Sequence, residues 1–490
     1  MKRSIALMAV AMAVLLCGFA ASLSAQELEP GSPIVVSEPS QQPPVRYPSA
    51  PGTLVIPKSS MSETPPAGHK FVAHTNVEFF IPAGFKPEEV PPFTGWGYET
   101  PASLACVYHM VSSSLAGCDP NQLSSTAYNP GGGSNTIAIV DAYDDPSAPG
   151  DLAWFSLQFG LYMELSTFQV VPANTSASSC NVSGVPIDPT GGWELEESLD
   201  IEWAHAMANK ATLYLVEACS NFDTDLQQAV MVANNLVACG ITGIAPSTLV
   251  LTYPACTSPT GKGEVSMSWG GGEFAGENNP SDTSCSAPDD SCFTTANVVY
   301  VAAAGDSPGV IWPSTSPNVV AAGGLSTRRN PLTTSVPPVD FEGSGAWVFG
   351  GGGQSAVESQ PSYQSSGNVQ AVCGTTNRCT PDVAFDADPY TGVWVYDTFP
   401  IFGYEYYQWI PVGGTSLAAP AIAGMINHAG SFRASSKAEL TNIYGYLGSP
   451  SQFKPITSGY CGPYMGFNTN TSTFWTFCAG VGSPYGYGGF

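Results

Sequence analysis

Basic side chains are scarce in this chain. Its 490 residues carry 14 Lys+Arg against 39 Asp+Glu, a formal net charge of −25. Only eight of those basic residues follow residue 90, which argues against nucleic acid or an anionic membrane as partner. The few histidines lack metal-ligand spacing: His69, His74, His109 and His428 stand alone, so no zinc site is expected. A second long apolar run is also missing, so nothing supports an integral membrane protein. What the chain does have in quantity is acidic residues, at a pI near 4.2; in acid most of that charge would be neutralised, limiting self-repulsion.

One apolar run does exist, at the start. Lys2 and Arg3 precede Ile5 to Ala21, followed by Ser22-Leu23-Ser24-Ala25. This is the pattern of a secretory signal cut after Ala25, and it implies an extracellular or periplasmic location. Removing Cys17 with that signal leaves twelve cysteines, an even number in a secreted chain, so disulfides are expected rather than metal or redox chemistry. Short-range pairs are Cys106–Cys118, Cys285–Cys292, Cys373–Cys379 and Cys461–Cys478. Cys180, Cys219, Cys239 and Cys256 allow three connectivities; Gly240 to Gly261 reads as an insertion between a helix and a strand, which favours Cys239–Cys256. Residues 26–68 are rich in Pro and Ser and read as an extended leader. Residues 69–97 hold a short apolar patch (Val77, Phe79, Phe80, Ile81, Phe85) able to pack on a domain.

Three segments carry chemistry. In Gly413-Gly414-Thr415-Ser416-Leu417-Ala418-Ala419-Pro420 a strand runs out, glycines turn, and a serine enters the first turn of an apolar helix from Leu417 to Ile426. The hydroxyl there lies near unpaired backbone N–H groups and the positive end of the helix dipole, where an oxyanion could be held. Taken alone, the same pattern also serves as an N-cap. Gly191 to Ala208 has helical character, with Leu195, Leu199, Trp203 and Ala206 on an apolar stripe. Glu196 and Asp200, four apart, share one helix face; an exposed acidic face would explain Glu194 and Glu197, but not Asp200 between Leu199 and Ile201. Val298 to Ala304 is a β-branched, apolar run ending in Gly305-Asp306, which reads as a buried parallel strand delivering an aspartate at its carboxyl end.

These segments, with Ser268-Trp269-Gly270-Gly271-Gly272-Glu273 between them, resemble in that order the sedolisin family of serine-carboxyl peptidases. The resemblance covers residues 98–490, starting at Tyr98-Glu99-Thr100-Pro101, and includes Ile137 to Asp141, Gly350 to Ser355 and Pro381-Asp382-Val383. It implies an α/β, subtilisin-like fold: one catalytic domain with a parallel sheet and helices on both faces. Apolar strands at 136–142, 211–217, 263–269, 297–304 and 317–323, alternating with helical segments, point independently to the same α/β class. Carried over residue by residue, Ser416 is the nucleophile, Glu196 the base and Asp200 the carboxylate that orients it. Asp306 completes the oxyanion hole, Trp269 braces the glutamate, and Asp141 is a supporting acid. Asp306 can donate to an oxyanion only when protonated, and two carboxyls within reach share a proton, so both requirements point to acid pH.

The expected activity is therefore that of a secreted, acid-active serine-carboxyl endopeptidase acting on proteins or peptides, with tripeptide trimming left open. Two features depart from the family. The leader is far shorter than the usual globular pro-domain, and cleavage on activation is expected between Gly95 and Tyr98. The family's calcium segments read Pro455-Ile456-Thr457-Ser458-Gly459 and Trp475-Thr476 before Gly480-Val481-Gly482, lacking both aspartates, so the Ca²⁺ site is expected to be degraded. Two rival readings remain. Asp141, His205 and Ser416 follow the chain order of a subtilisin triad, although His205 projects from a different side of its helix than the carboxyl pair. A secreted binding protein that keeps the fold without catalysis is the other.

Overall fold

The structure, a computed structural model, describes residues 34–37, 52–86, 98–111, 129–164, 167–180, 183–240, 256, 259–327, 344–401, 408–456, 458–465 and 474–490. The expected signal peptide, the expected cleavage region from Gly95, and Cys118 fall outside them.

Strands form where the chain is β-branched and apolar, and their burial shows which layer each residue faces. Ile34–Ser37 (β1), Gly52–Ile56 (β2), His74–Thr75 (β3) and Glu78–Pro82 (β4) come first. Then follow Thr136–Ala142 (β5), Phe168–Pro172 (β6), Thr212–Ala218 (β7), Gly263–Met267 (β8), Trp269–Gly270 (β9), Val298–Ala303 (β10) and Val320–Thr327 (β11). Beyond these lie Ser344–Ala346 (β12), Gly353–Ser359 (β13), Asn377–Thr380 (β14), Val383–Asp386 (β15), Val393–Tyr396 (β16) and Trp409–Gly413 (β17). The principal sheet has the order β12-β11-β10-β8-β5-β7-β6, with β15 also beside β11. All its neighbours run parallel except β12 on β11. β5 and β7 stay in register from Thr136↔Thr212 to Ala142↔Ala218.

Helices cover both faces: Pro101–Val107 (α1), Ala148–Phe159 (α2), Gly192–Met207 (α3), Asp223–Cys239 (α4), Gly367–Cys373 (α5), Thr415–Ala429 (α6) and Ser436–Gly445 (α7). Alternation along β10 shows the two layers. Val299, Val301 and Ala303 join a core with Leu195 and Leu199 of α3 and Leu417 and Ile422 of α6. Val298, Tyr300 and Ala302 join a second core with Leu226, Val230 and Val237 of α4. Strands buried on both faces need no polar alternation, which is why these runs read as continuously apolar.

The helix pair α3 and α6 approaches closely at Gly424. A Cβ there would lie 2.6 Å from the Met207 Cβ and 2.9 Å from the Ala204 carbonyl oxygen. This contact fixes the helix bearing Glu196 and Asp200 against the helix bearing Ser416.

The leader is not merely extended. β4 lies between β2 and β17 in the five-stranded sheet β1-β2-β4-β17-β16. Leu54, Val55, Phe79 and Phe80 are buried in the same core as α3 and α6. Short apolar stretches inside a Pro/Ser-rich composition thus form strands because an edge of the domain receives them. Disulfides join Cys180–Cys219, Cys239–Cys256, Cys285–Cys292, Cys373–Cys379 and Cys461–Cys478, which decides among the three open connectivities.

Overpacking the α3–α6 contact should loosen it. Gly424→Ala is expected to lower unfolding stability by about 1–3 kcal/mol, read from denaturant midpoints at constant slope; an unchanged midpoint would show that the helices have room to part.

Candidate active site

Ser416 stands in the first turn of α6, fully buried. The turn before it needs Gly414 at φ 104°, a conformation that side chains disfavour. Pro420 inside α6 lacks an amide hydrogen, so the Ser416 carbonyl loses its usual i+4 donor. The Ser268 hydroxyl takes that place at 3.1 Å. Ser268 Oγ also lies 2.8 and 2.7 Å from the two carboxyl oxygens of Asp200. One serine therefore ties the carboxyl of α3 to the backbone of the nucleophile. It was quoted in the sequence only as part of a motif; a polar residue breaking the run between Met267 and Trp269 was the available signal.

Glu196 and Asp200 are both inaccessible to solvent on the α3 face towards Ser416. The Glu196 carboxyl is held well above the usual range by burial first, then by the charges of Asp200 and Asp141. The Ser416 hydroxyl is close enough to pull slightly the other way. Even so, it donates to the Ser268 carbonyl at 3.1 Å, and neither Glu196 oxygen has a partner at hydrogen-bond geometry. Catalytic hydrogen bonds often close only around a substrate. Asp200 is likewise raised, by burial and then by Asp141, against the pull of Ser268. Asp141, at the end of β5, is itself pushed up to about 8 by burial.

Asp306 follows β10. Its Oδ1 accepts from the Thr415 amide at 2.7 Å and the Thr415 hydroxyl at 2.7 Å, while Oδ2 is buried without a partner. Burial raises this carboxyl to about 7, so in acid it carries a proton on the side facing the serine turn. A Cβ on Gly414 would lie 2.6 Å from that oxygen. Trp269, 1% exposed, gives its indole N–H to the Val140 carbonyl at 2.8 Å, anchoring the strand end between β5 and the site.

Asn76, which no sequence motif marked, is buried against the nucleophile. The Ser416 amide donates to the Asn76 carbonyl at 3.0 Å, and the Asn76 amide donates to Ser416 Oγ at 3.1 Å.

His205 lies elsewhere. It is nine positions beyond Glu196 on α3, roughly 13 Å along the axis. Burial depresses it to about 4, opposed by a bond to the Tyr162 backbone.

Residues 221–442 match the subtilase family. Sedolisin from Pseudomonas sp. (strain 101) is 33% identical over 186 residues, covering 36% of this chain and 29% of its own length. The solved structure of Pseudomonas sedolisin, a serine-carboxyl proteinase complexed with two molecules of pseudo-iodotyrostatin, aligns with a TM-score of 0.56 at 22% identity. That alignment covers 80% of this chain and 96% of the other. The chain has the subtilisin-like fold and is similar to sedolisin over part of its sequence. The sequence match spans less than a third of the curated relative, whereas the fold match spans nearly all of the solved one.

The sedolisin calcium locus can be tested against the residues present. Phe453–Lys454 pairs with Ser483–Pro484, and Cys461–Cys478 clamps the same region. Thr476 and Gly480 exchange backbone hydrogen bonds, and the Thr476 hydroxyl accepts from Ala479. The expected carboxylate positions hold Pro455 and Thr476, and Lys454 reaches over the Tyr485 ring at 4.4 Å. Among the described residues no acidic cluster fit for a metal occurs, and this donor set does not fit Ca²⁺.

Buried carboxyls set the pH response of the fold. Asp145 is raised to about 6, Asp306 to about 7, Asp141 to about 8 and Glu194 to about 9, each mainly by burial. Unfolded, such groups release their protons near pH 4. Between those values the folded chain binds more protons, so stability is full below about pH 4 and falls as pH rises through 6 to 9. Thermal unfolding of the Ser416→Ala chain should show a midpoint higher at pH 4 than at pH 8; a midpoint that rises over this interval contradicts the reading.

Proposed function

We propose that this chain is a secreted, acid-active serine-carboxyl endopeptidase. The observation that carries the proposal is the convergence of Ser416, Glu196, Asp200 and Asp306, delivered by α6, α3 and the end of β10, with His205 set apart from them along α3. In this reading Ser416 Oγ attacks the scissile carbonyl and its proton passes to Glu196. Asp200, linked through Ser268 to the Ser416 backbone, shares a proton with Glu196 and keeps it oriented. The Ser416 amide and protonated Asp306 donate to the developing oxyanion. Glu196 then returns its proton to the leaving amine, and water cleaves the acyl ester by the reverse steps. Asp141 supports the pair by disfavouring its double ionisation.

The signal-like start and the disulfides support secretion, and no described helix is long and apolar enough to cross a membrane. Proteins or peptides are the proposed substrates, and Ca²⁺ is proposed not to be required.

Digestion of a denatured protein should be strongest in acid and fade as Asp306 loses its proton near pH 7. Ser416→Ala should abolish it, and Glu196→Gln should lower kcat by about 10²–10⁴-fold. A maximum at neutral pH, or full activity in either variant, contradicts the reading. Calorimetric titration with Ca²⁺ should give no tight binding, and chelation should leave activity unchanged; a micromolar site would overturn that part.

A further inference from the structure

Glu197 is a buried carboxyl that the proposed reaction leaves unused. In the sequence it suited an exposed acidic face, yet it is inaccessible to solvent and neither of its oxygens has a hydrogen-bond partner. Its place on α3 explains the burial. Ile201 and Ala204, four and seven positions later on the same helix face, share a core with Ile137 and Ile139 of β5 and Leu213 and Leu215 of β7. One turn earlier, Glu197 stands over the carboxyl ends of those two strands. The next positions of the same strand faces are Asp141 and Glu217. They are register partners on adjacent parallel strands, and alternation turns both towards α3. Both are buried.

These carboxyls form a row with two ends. At the inner end the charge of Asp141 acts on Glu196 and on Asp200, and the side chains of that pair are hydrogen-bonded to each other. At the outer end, the chain leaves β5 through Asp144 and Asp145. The Asp145 amide donates to Glu217 Oε1 at 3.3 Å, and the Asp144 side chain is hydrogen-bonded to the same carboxyl. Two carboxyls bond in this way only with a proton between them. Asp144 is half-buried, so this end of the row meets solvent. Glu197 stands between the ends, faced by Asp141 from β5, Glu217 from β7, Asp145 from the loop after β5 and Glu194 from its own helix. These neighbours are all acids. Carboxyls packed together out of water keep protons rather than charges, and a protonated carboxyl is donor and acceptor at once.

Resting on the peptidase reading above, we infer that Asp144, Glu217, Glu197 and Asp141 form a proton relay between solvent and the Glu196/Asp200 pair. The pair is closed to the surface, and a substrate over Ser416 shuts the direct route through the cleft. In acid the leaving amine departs as a cation, taking one proton more than Ser416 supplies; the product acid returns one when it departs ionised. The relay carries the first inward and the second outward. Asp144 takes a proton from solvent and passes it to Glu217 as Glu217 gives its own to Glu197. Glu197 gives to Asp141, and Asp141 to the pair, each hop direct or through a bridging water. Every member then holds as many protons as before, and one proton has moved from solvent to the pair. Glu197 and Glu217 touch no substrate; they are positioning residues that act through Asp141.

Glu197→Gln keeps the size of the side chain and ends the transfer. With saturating peptide at pH 4, it should lower kcat by about tenfold, short of the loss expected from removing Glu196 itself. KM should stay unchanged, and the solvent isotope effect on kcat, measured in H2O and D2O, should rise. Glu197→Asp should recover part of the loss. Asp144→Asn, at the half-buried end, should behave like Glu197→Gln and decides the matter if that variant does not fold. An unchanged kcat in both variants overturns the relay and leaves the peptidase reading standing. So does a lower kcat with an unchanged isotope effect, the mark of a merely structural role. No digestion by the unaltered chain at any pH sinks the peptidase reading instead. Deuterium exchange into the buried carboxyls of the Ser416→Ala chain, followed by infrared absorption, then tests the relay by itself: Glu197→Gln should slow it, and equal rates overturn the inference.

Discussion

Carboxyl groups are buried here with almost no cations to meet them, and the rest of the structure depends on how that is resolved. The principal inaccessible ion pair among the described residues is Arg378 with Asp382, at 2.7 Å, braced by the Tyr444 hydroxyl at 2.9 Å. Glu196, Glu197, Asp200, Glu202, Glu264 and Asp397 are all buried and all raised well above their ordinary range, with burial the largest cause in each. An unpaired charge in such a place costs several kcal/mol, whereas a neutral carboxyl can share or donate a proton. In the proposed chemistry, the protonation that permits this packing would also arm Asp306 as a donor.

A second dependence runs through Ser268 and Pro420. Proline removes one helical hydrogen bond in α6, and the serine at the end of β8 fills the vacancy while touching Asp200. Sheet, acid helix and nucleophile helix are thus joined at one hydroxyl, and Gly424 sets the distance between the two helices. A site assembled from three elements holds its geometry only if those elements cannot slide, and here backbone as well as side-chain contacts prevent it.

Much of this was legible in the sequence. The run at 136–142 is β5 to the residue, because a strand covered on both faces writes itself as unbroken apolar chain. The apolar helix read from Leu417 to Ile426 extends from Thr415 to Ala429, its ends set by Gly414 and Gly430. The run 263–269 was less transparent: it splits at Ser268, whose hydroxyl and carbonyl turn towards the site. Glu196, Asp200, Asp306 and Ser416 meet as their order suggested. Asn76 was invisible, because its role comes from pairing with residues some 200 and 340 positions away, and nothing local in a Pro/Ser-rich leader signals such a partner. The strand Gly52–Ile56 was hidden for the same reason.

The central claim is that a carboxylic acid stays protonated beside the serine turn. Infrared or carbon-13 titration of side-chain carboxyls in the Ser416→Ala chain, compared with the same chain carrying Asp306→Asn, tests it most directly. The account predicts a buried carboxyl that titrates near pH 7 and disappears with Asp306→Asn. If every carboxyl removed by that substitution ionises below about pH 5, in the ordinary aspartate range, the oxyanion donor does not exist and the account fails.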